Sequence, residues 1–140
     1  MEIRERDYLM RQFHQLAKVL ARLLGFKEND DHVGALSYME ESYKEILDLD
    51  LKEINAMKPD ELLDYLLEKQ NMNLPALEKT AEILREEAYL YRNGSISDLF
   101  ASRAEKALHL LNYVQENDKT FSFTRKALID SLRKDLAATN

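Results

Sequence analysis

The chain is predicted to fold as an all-α domain built from antiparallel helical hairpins, with about five main helices and two short ones. Three observations predict it. Apolar residues recur at steps of 3 and 4 through successive segments, which is the helical period. No stretch alternates with period 2, so no strand is expected. Only 3 Gly and 2 Pro occur in 140 residues, too few for a turn-rich β fold.

The first helix is expected over residues 8–26. Leu9, Phe13, Leu16, Leu20 and Leu23 step by 4, 3, 4 and 3 along one stripe, and Met10, Ala17 and Leu24 form a second row beside it. Two apolar rows predict a helix packed between neighbours, so this one is expected to be central to the domain. A polar break, residues 27–31, follows with Asp30 and Asp31 as candidate N-caps. The next helix, 32–47, is expected to bury Val33, Leu36, Met39, Tyr43 and Ile46. So short a break implies an antiparallel hairpin over about 5–48. Asp50 and Glu53 have capping-box spacing and open a short helix. Pro59 suits the first position of another, 59–68, with Leu62, Leu63, Leu66 and Leu67 inside. Together they form an insertion over about 51–70.

Residues 70–73 are the clearest break. Asn73 can cap the following helix, 74–92, and Pro75 needs no donor in its first turn. Leu77, Ala81, Leu84, Ala88 and Tyr91 again step by 4, 3, 4 and 3, and Asn93-Gly94 ends the helix. Ser95 and Asp98 form a second capping box, and the helix over 96–115 is expected to bury Phe100, Ala104, Ala107, Leu111 and Val114. This pair makes a second hairpin, 74–115. After a polar turn, a last helix over 120–136 presents Phe121, Leu128, Leu132 and Leu136. The length fits one domain, 1–140.

Composition narrows the function classes. Cysteine is absent, which removes disulfides, thiolate metal sites and cysteine nucleophiles. No apolar run resembles a secretory signal or approaches a membrane span, so a soluble, cytoplasmic protein that avoids membranes is expected. The net charge is −6. Residues 1–70 hold 10 basic and 16 acidic side chains and residues 71–140 hold 10 of each, so the acidic first half argues against nucleic-acid binding. The last helix is the basic exception, with Lys119, Arg125, Lys126, Arg133 and Lys134, and is expected to dock or to be solvated.

Catalytic motifs do not emerge. A di-metal bundle needs Glu-x-x-His, but Arg11, Asn29 and Lys106 stand three residues before His14, His32 and His109. Glu105 and His109 are one turn apart without further ligands. Glu28, Asp30, Asp31 and His32 cluster in one turn, where capping explains the aspartates. The three glycines, Gly25, Gly34 and Gly94, are isolated, so no phosphate loop exists. Few polar residues fall on the apolar stripes. No catalytic, cofactor-binding or metal residue is assigned, and an enzyme is not expected. The competing reading is a small-molecule or metal-binding helical protein, or an enzyme whose site is assembled from distant residues.

Two windows resemble the 34-residue tetratricopeptide pattern. In 81–114, Leu84, Ala88, Tyr91 and Ala107-Leu108 match, and Phe100 and Ala104 exchange the large and small positions. In 16–49, Val19, Phe26, Ala35 and Met39 match, while Leu23 and Ser42 replace small residues. The whole chain also resembles a family of small bacterial all-helical proteins to which no reaction is assigned. That resemblance rests on Tyr8-Leu-Met-Arg-Gln-Phe, Leu20-Ala-Arg-Leu-Leu-Gly, and the Ala35-Leu hairpin followed by Ile46-Leu-Asp-Leu-Asp. It implies tetratricopeptide-like hairpins, with an irregular helical bundle as the alternative, because the 51–70 insertion interrupts a tandem array. The family resemblance implies a fold and not an activity; the repeat-like windows and the missing chemistry motivate the expectation of a protein-interaction or scaffold module. In this register Arg85, Tyr89 and Arg92, on one stripe with Glu82, line the concave face and suit an acidic peptide. Tyr8, Met10 and Phe13 are the natural contributors to a homodimer.

Overall fold

A computed structural model describes residues 3–94 and 97–139. It is an all-α bundle of seven helices: α1 (Ile3–Glu28), α2 (His32–Leu47), α3 (Leu51–Ala56), α4 (Pro59–Glu68), α5 (Leu74–Asn93), α6 (Ser97–Asn117) and α7 (Phe123–Ala138). No strand occurs among the described residues.

The helix starts follow local chemistry. Asp31 caps α2 by accepting the backbone N–H of Gly34 at 2.9 Å. Asp50 and Glu53 form a reciprocal capping box on α3. Pro59 opens α4, and Asn73 caps α5 by accepting from Ala76 at 3.0 Å. Asp30, the other candidate, instead takes a left-handed turn conformation at φ 57°. The expected Ser95 cap and Ile96 start lie outside the described residues. At the last helix the expectation is corrected. Ser122 is the cap, accepting from the Arg125 backbone, so α7 begins at Phe123 and Phe121 stays in the turn, 52% exposed.

Contacts fix the arrangement. The Phe26 and Tyr38 rings meet at 5.6 Å, which closes α1 and α2 into an antiparallel hairpin. Near one end of α1, the Tyr8 hydroxyl and the Gln12 amide both donate to the Gln70 carbonyl. Near its other end Lys27 pairs with Glu86 at 3.3 Å. Helix α1 therefore runs parallel to α5. Helices α5 and α6 form the second hairpin, α2 touches α5, α4 packs on α6, and α7 lies along α6 and reaches α5.

The central helix is α5, not α1. Ten of its twenty residues are buried, against four of twenty-six in α1. Beside the anticipated stripe, Ala76, Thr80, Ile83, Glu87 and Leu90 make a second buried row at the same helical spacing. In α1 only one stripe faces the core, and Met10 is 52% exposed. Two smaller expectations also change. Val33 is 82% exposed, since it sits in the first turn of α2, ahead of the Phe26–Tyr38 contact, and Leu67 is only half-buried.

Candidate functional site

The stripe Arg85, Tyr89 and Arg92 is assembled on the outward side of α5. The Arg85 guanidinium lies over the Tyr89 ring at 4.8 Å and that of Arg92 at 5.7 Å, so the ring is held between two cations. Tyr89 also meets Phe100 edge-on at 5.5 Å, which fixes the ring from below. A carboxylate completes the group from α7. The Tyr89 hydroxyl donates to Asp135, and Arg92 pairs with the same carboxylate at 3.1 Å. Burial, and then the hydrogen bond to Asp135, hold the Tyr89 hydroxyl above its ordinary value. Arg85 leans on Glu86 at 3.6 Å, yet its buried Nε finds no acceptor. The group thus already holds one carboxylate, that of Asp135.

A second polar group is sealed inside the bundle. Glu87 on α5 and Arg103 on α6 pair at 2.7 Å, both fully buried. The hydroxyls of Tyr43, from α2, and Tyr91 donate to the same carboxylate at 2.5 and 2.7 Å. Burial first and Glu87 second raise both tyrosines well above their ordinary value. For Arg103, burial pulls downward, but Glu87 and the tyrosines outweigh it and the guanidinium is raised. The cluster joins α2, α5 and α6. The expectation that the apolar stripes carry few polar residues fails here.

A cleft of about 490 Å³ opens where α1, α5, α6 and α7 meet. Phe13, Pro75, Val114 and Leu128 make its apolar walls, and Glu78, Asp118 and Arg125 its polar side. Arg125 is buried. It donates to both Glu78 oxygens and to Asp118 at 3.2 Å, to Gln115 at 2.6 Å and to the Thr120 carbonyl at 3.2 Å. The Thr120 amide, and then Arg125, hold Asp118 below the usual carboxylate range. Arg125 is thus a clamp between α7, α5 and α6 and is docked, one of the two outcomes expected for the basic last helix. Lys126 is likewise paired, with Asp130 at 2.8 Å.

The remaining candidates do not converge. Among the described residues, no three His, Asp or Glu side chains stand close enough to hold a metal ion. Asp31 is committed to its cap, and His32 lies 3.6 Å from Asp30. No described helix is long and apolar enough to cross a membrane. The residue of this group that the sequence does not mark is Asp135. Its one readable sign is a carboxylate in the last turn of a helix, where the helix dipole disfavours it. Comparison with protein-family models, with curated proteins and with solved structures found no match.

Proposed function

We propose that this chain is a protein-interaction module that takes an acidic segment of a partner protein across Arg85, Tyr89 and Arg92. The observation that carries the reading is the Asp135 carboxylate already bound to Tyr89 and Arg92 within the chain. Two guanidiniums flank a rigid ring, and both side chains are partly exposed, which is the chemistry of carboxylate capture. The helix order supports it further. Helix α5 packs on both α1 and α6, and α7, lying along α6, reaches α5 through its ion pairs, as packed helical hairpins would present a binding face. A cytoplasmic bacterial setting fits a cysteine-free chain of this kind. Affinity capture with the unmodified chain should enrich one partner that Arg85→Ala plus Arg92→Ala loses, while stability changes by no more than about 1 kcal/mol. Equal capture by the double variant overturns the assignment.

The cleft at Phe13, Val114 and Arg125 favours a second reading, a small-molecule binder, because its volume lies in the range of ligand sites. A thermal-shift screen separates the two: a reproducible rise in Tm with one metabolite, abolished by Phe13→Ala, selects the cleft.

A further inference from the structure

We infer that Asp135 occupies the place of a partner's carboxylate, so that the end of α7 is an internal competitor that an acidic segment must displace. This rests on the interaction reading above. Three features of α7 point to it. First, Asp135 makes the two contacts an incoming carboxylate would want, with the Tyr89 hydroxyl and the Arg92 guanidinium. Second, a carboxylate in the last turn opposes the helix dipole, and that turn carries no basic residue to offset it. The residue therefore does nothing for its own helix and serves the contact with α5. Third, the fully buried attachments of α7 all lie earlier in the chain, at Arg125, Ile129 and Leu132, whereas in the last turn Leu136 is only half-buried against the core and residues 137–139 are exposed. Helix ends open locally at little cost, so the last turn can release Asp135 without loosening the core.

The occupied site is incompletely filled. One carboxylate serves Tyr89 and Arg92, while the buried Arg85 Nε has no acceptor. A segment with two neighbouring acidic side chains reaches both arginines, which Asp135 alone does not. That difference gives a multi-acidic ligand its advantage over the internal one. Competition then lowers the apparent affinity by the fraction of molecules in which α7 is closed.

An end-labelled oligoglutamate peptide is the probe, titrated by fluorescence anisotropy into the full chain near physiological salt. Asp135→Ala should bind it about fivefold more tightly than the unmodified chain, as expected for removing a partly exposed ion pair. Arg85→Ala plus Arg92→Ala should lose binding with or without Asp135→Ala. Hydrogen exchange gives a check that needs no variant: peptide added to the unmodified chain should speed exchange of the backbone amides over 134–139. Equal affinity for Asp135→Ala and the unmodified chain, or unchanged or slower exchange at those amides, overturns the competition. If the arginine variant still loses the peptide, the docking site itself stands. Undiminished binding by the arginine variant, or no binding by any form, overturns both.

Discussion

Glu87 and Arg103 meet at 2.7 Å with neither side chain reaching solvent. Desolvating such a pair offsets much of its attraction, so its presence adds little net stability, but breaking it leaves one charge stranded. Arg103→Met should therefore cost about 3–5 kcal/mol in urea unfolding. Adding Glu87→Gln should restore most of that, because the stranded charge is gone, the amide oxygen accepts from one tyrosine hydroxyl and the amide NH2 donates to the other. A loss below roughly 1 kcal/mol in the single variant would show that the carboxylate finds other relief. The same cluster sets the alkaline behaviour. Tyr43 and Tyr91 keep their protons in the folded state above their ordinary value of 10.0, where the unfolded chain releases them. Their contribution is complete below pH 10 and is lost as pH rises beyond it. Lys106 runs the other way. Burial, and then Arg103, lower its amine, so the folded chain sheds that proton first and stability gains with pH on approach to 10.5. With three hydroxyls, that of Tyr89 included, against one amine, unfolding free energy should fall above pH 10, and Tyr43→Phe should flatten the slope. An unchanged slope in that variant would remove Tyr43 from the linkage.

At the level of the helix, burial decides what truncation costs. Leu16 and Leu23 are each 1% exposed, whereas Leu20 on the same stripe of α1 is only half-buried. Leu16→Ala or Leu23→Ala should cost about 2–5 kcal/mol, and Leu20→Ala distinctly less. Equal losses at all three would restore α1 to a central position. Local signals were the legible ones: Asp31, Asp50 and Asn73 cap the helices they were expected to cap, and each acts within three residues. The choice of central helix was not legible. The second buried row of α5 contains Thr80 and Glu87, which apolar periodicity alone does not mark: Thr80 donates to the Ala76 carbonyl one turn back, and Glu87 finds Tyr43 and Arg103 on other helices. Ser122 is hard to read as the cap because Phe121 extends the apolar pattern ahead of it, yet that ring is exposed in the turn. At the candidate site, helical spacing placed Arg85, Tyr89 and Arg92 together. The carboxylate that joins them lies 46 residues beyond Tyr89, a separation no local pattern reports.

Across the whole molecule, exposed apolar side chains gather along the Phe13 side. Ile3 and Met10 stand two turns apart on α1, in line with a groove of about 450 Å³ formed with Leu9, Phe13 and Pro75. Phe13 and Pro75 also line the cleft that reaches Ser122, beside which Phe121 and Phe123 meet edge-on at 4.8 Å, both exposed. Apolar surfaces that adjoin in this way mark a contact face more often than bare solvent exposure. We propose a second copy of the chain as its cover. Asp7 and Arg11 flank Met10 on exposed positions, and among the described residues neither has an ion-pair partner. A two-fold axis near Met10 sets Asp7 of one copy against Arg11 of the other, twice over. Association costs about 4–15 kcal/mol in lost freedom, so a face with few large anchors should pair reversibly and with concentration dependence. Light scattering should then show a mass rising from 16.4 kDa toward twice that value as concentration increases. Met10→Glu should hold the chain at 16.4 kDa while leaving unfolding free energy within about 0.5 kcal/mol, since that side chain contributes little to its own core. A constant 16.4 kDa for the unmodified chain into the millimolar range would exclude the pairing and leave this face to a different protein.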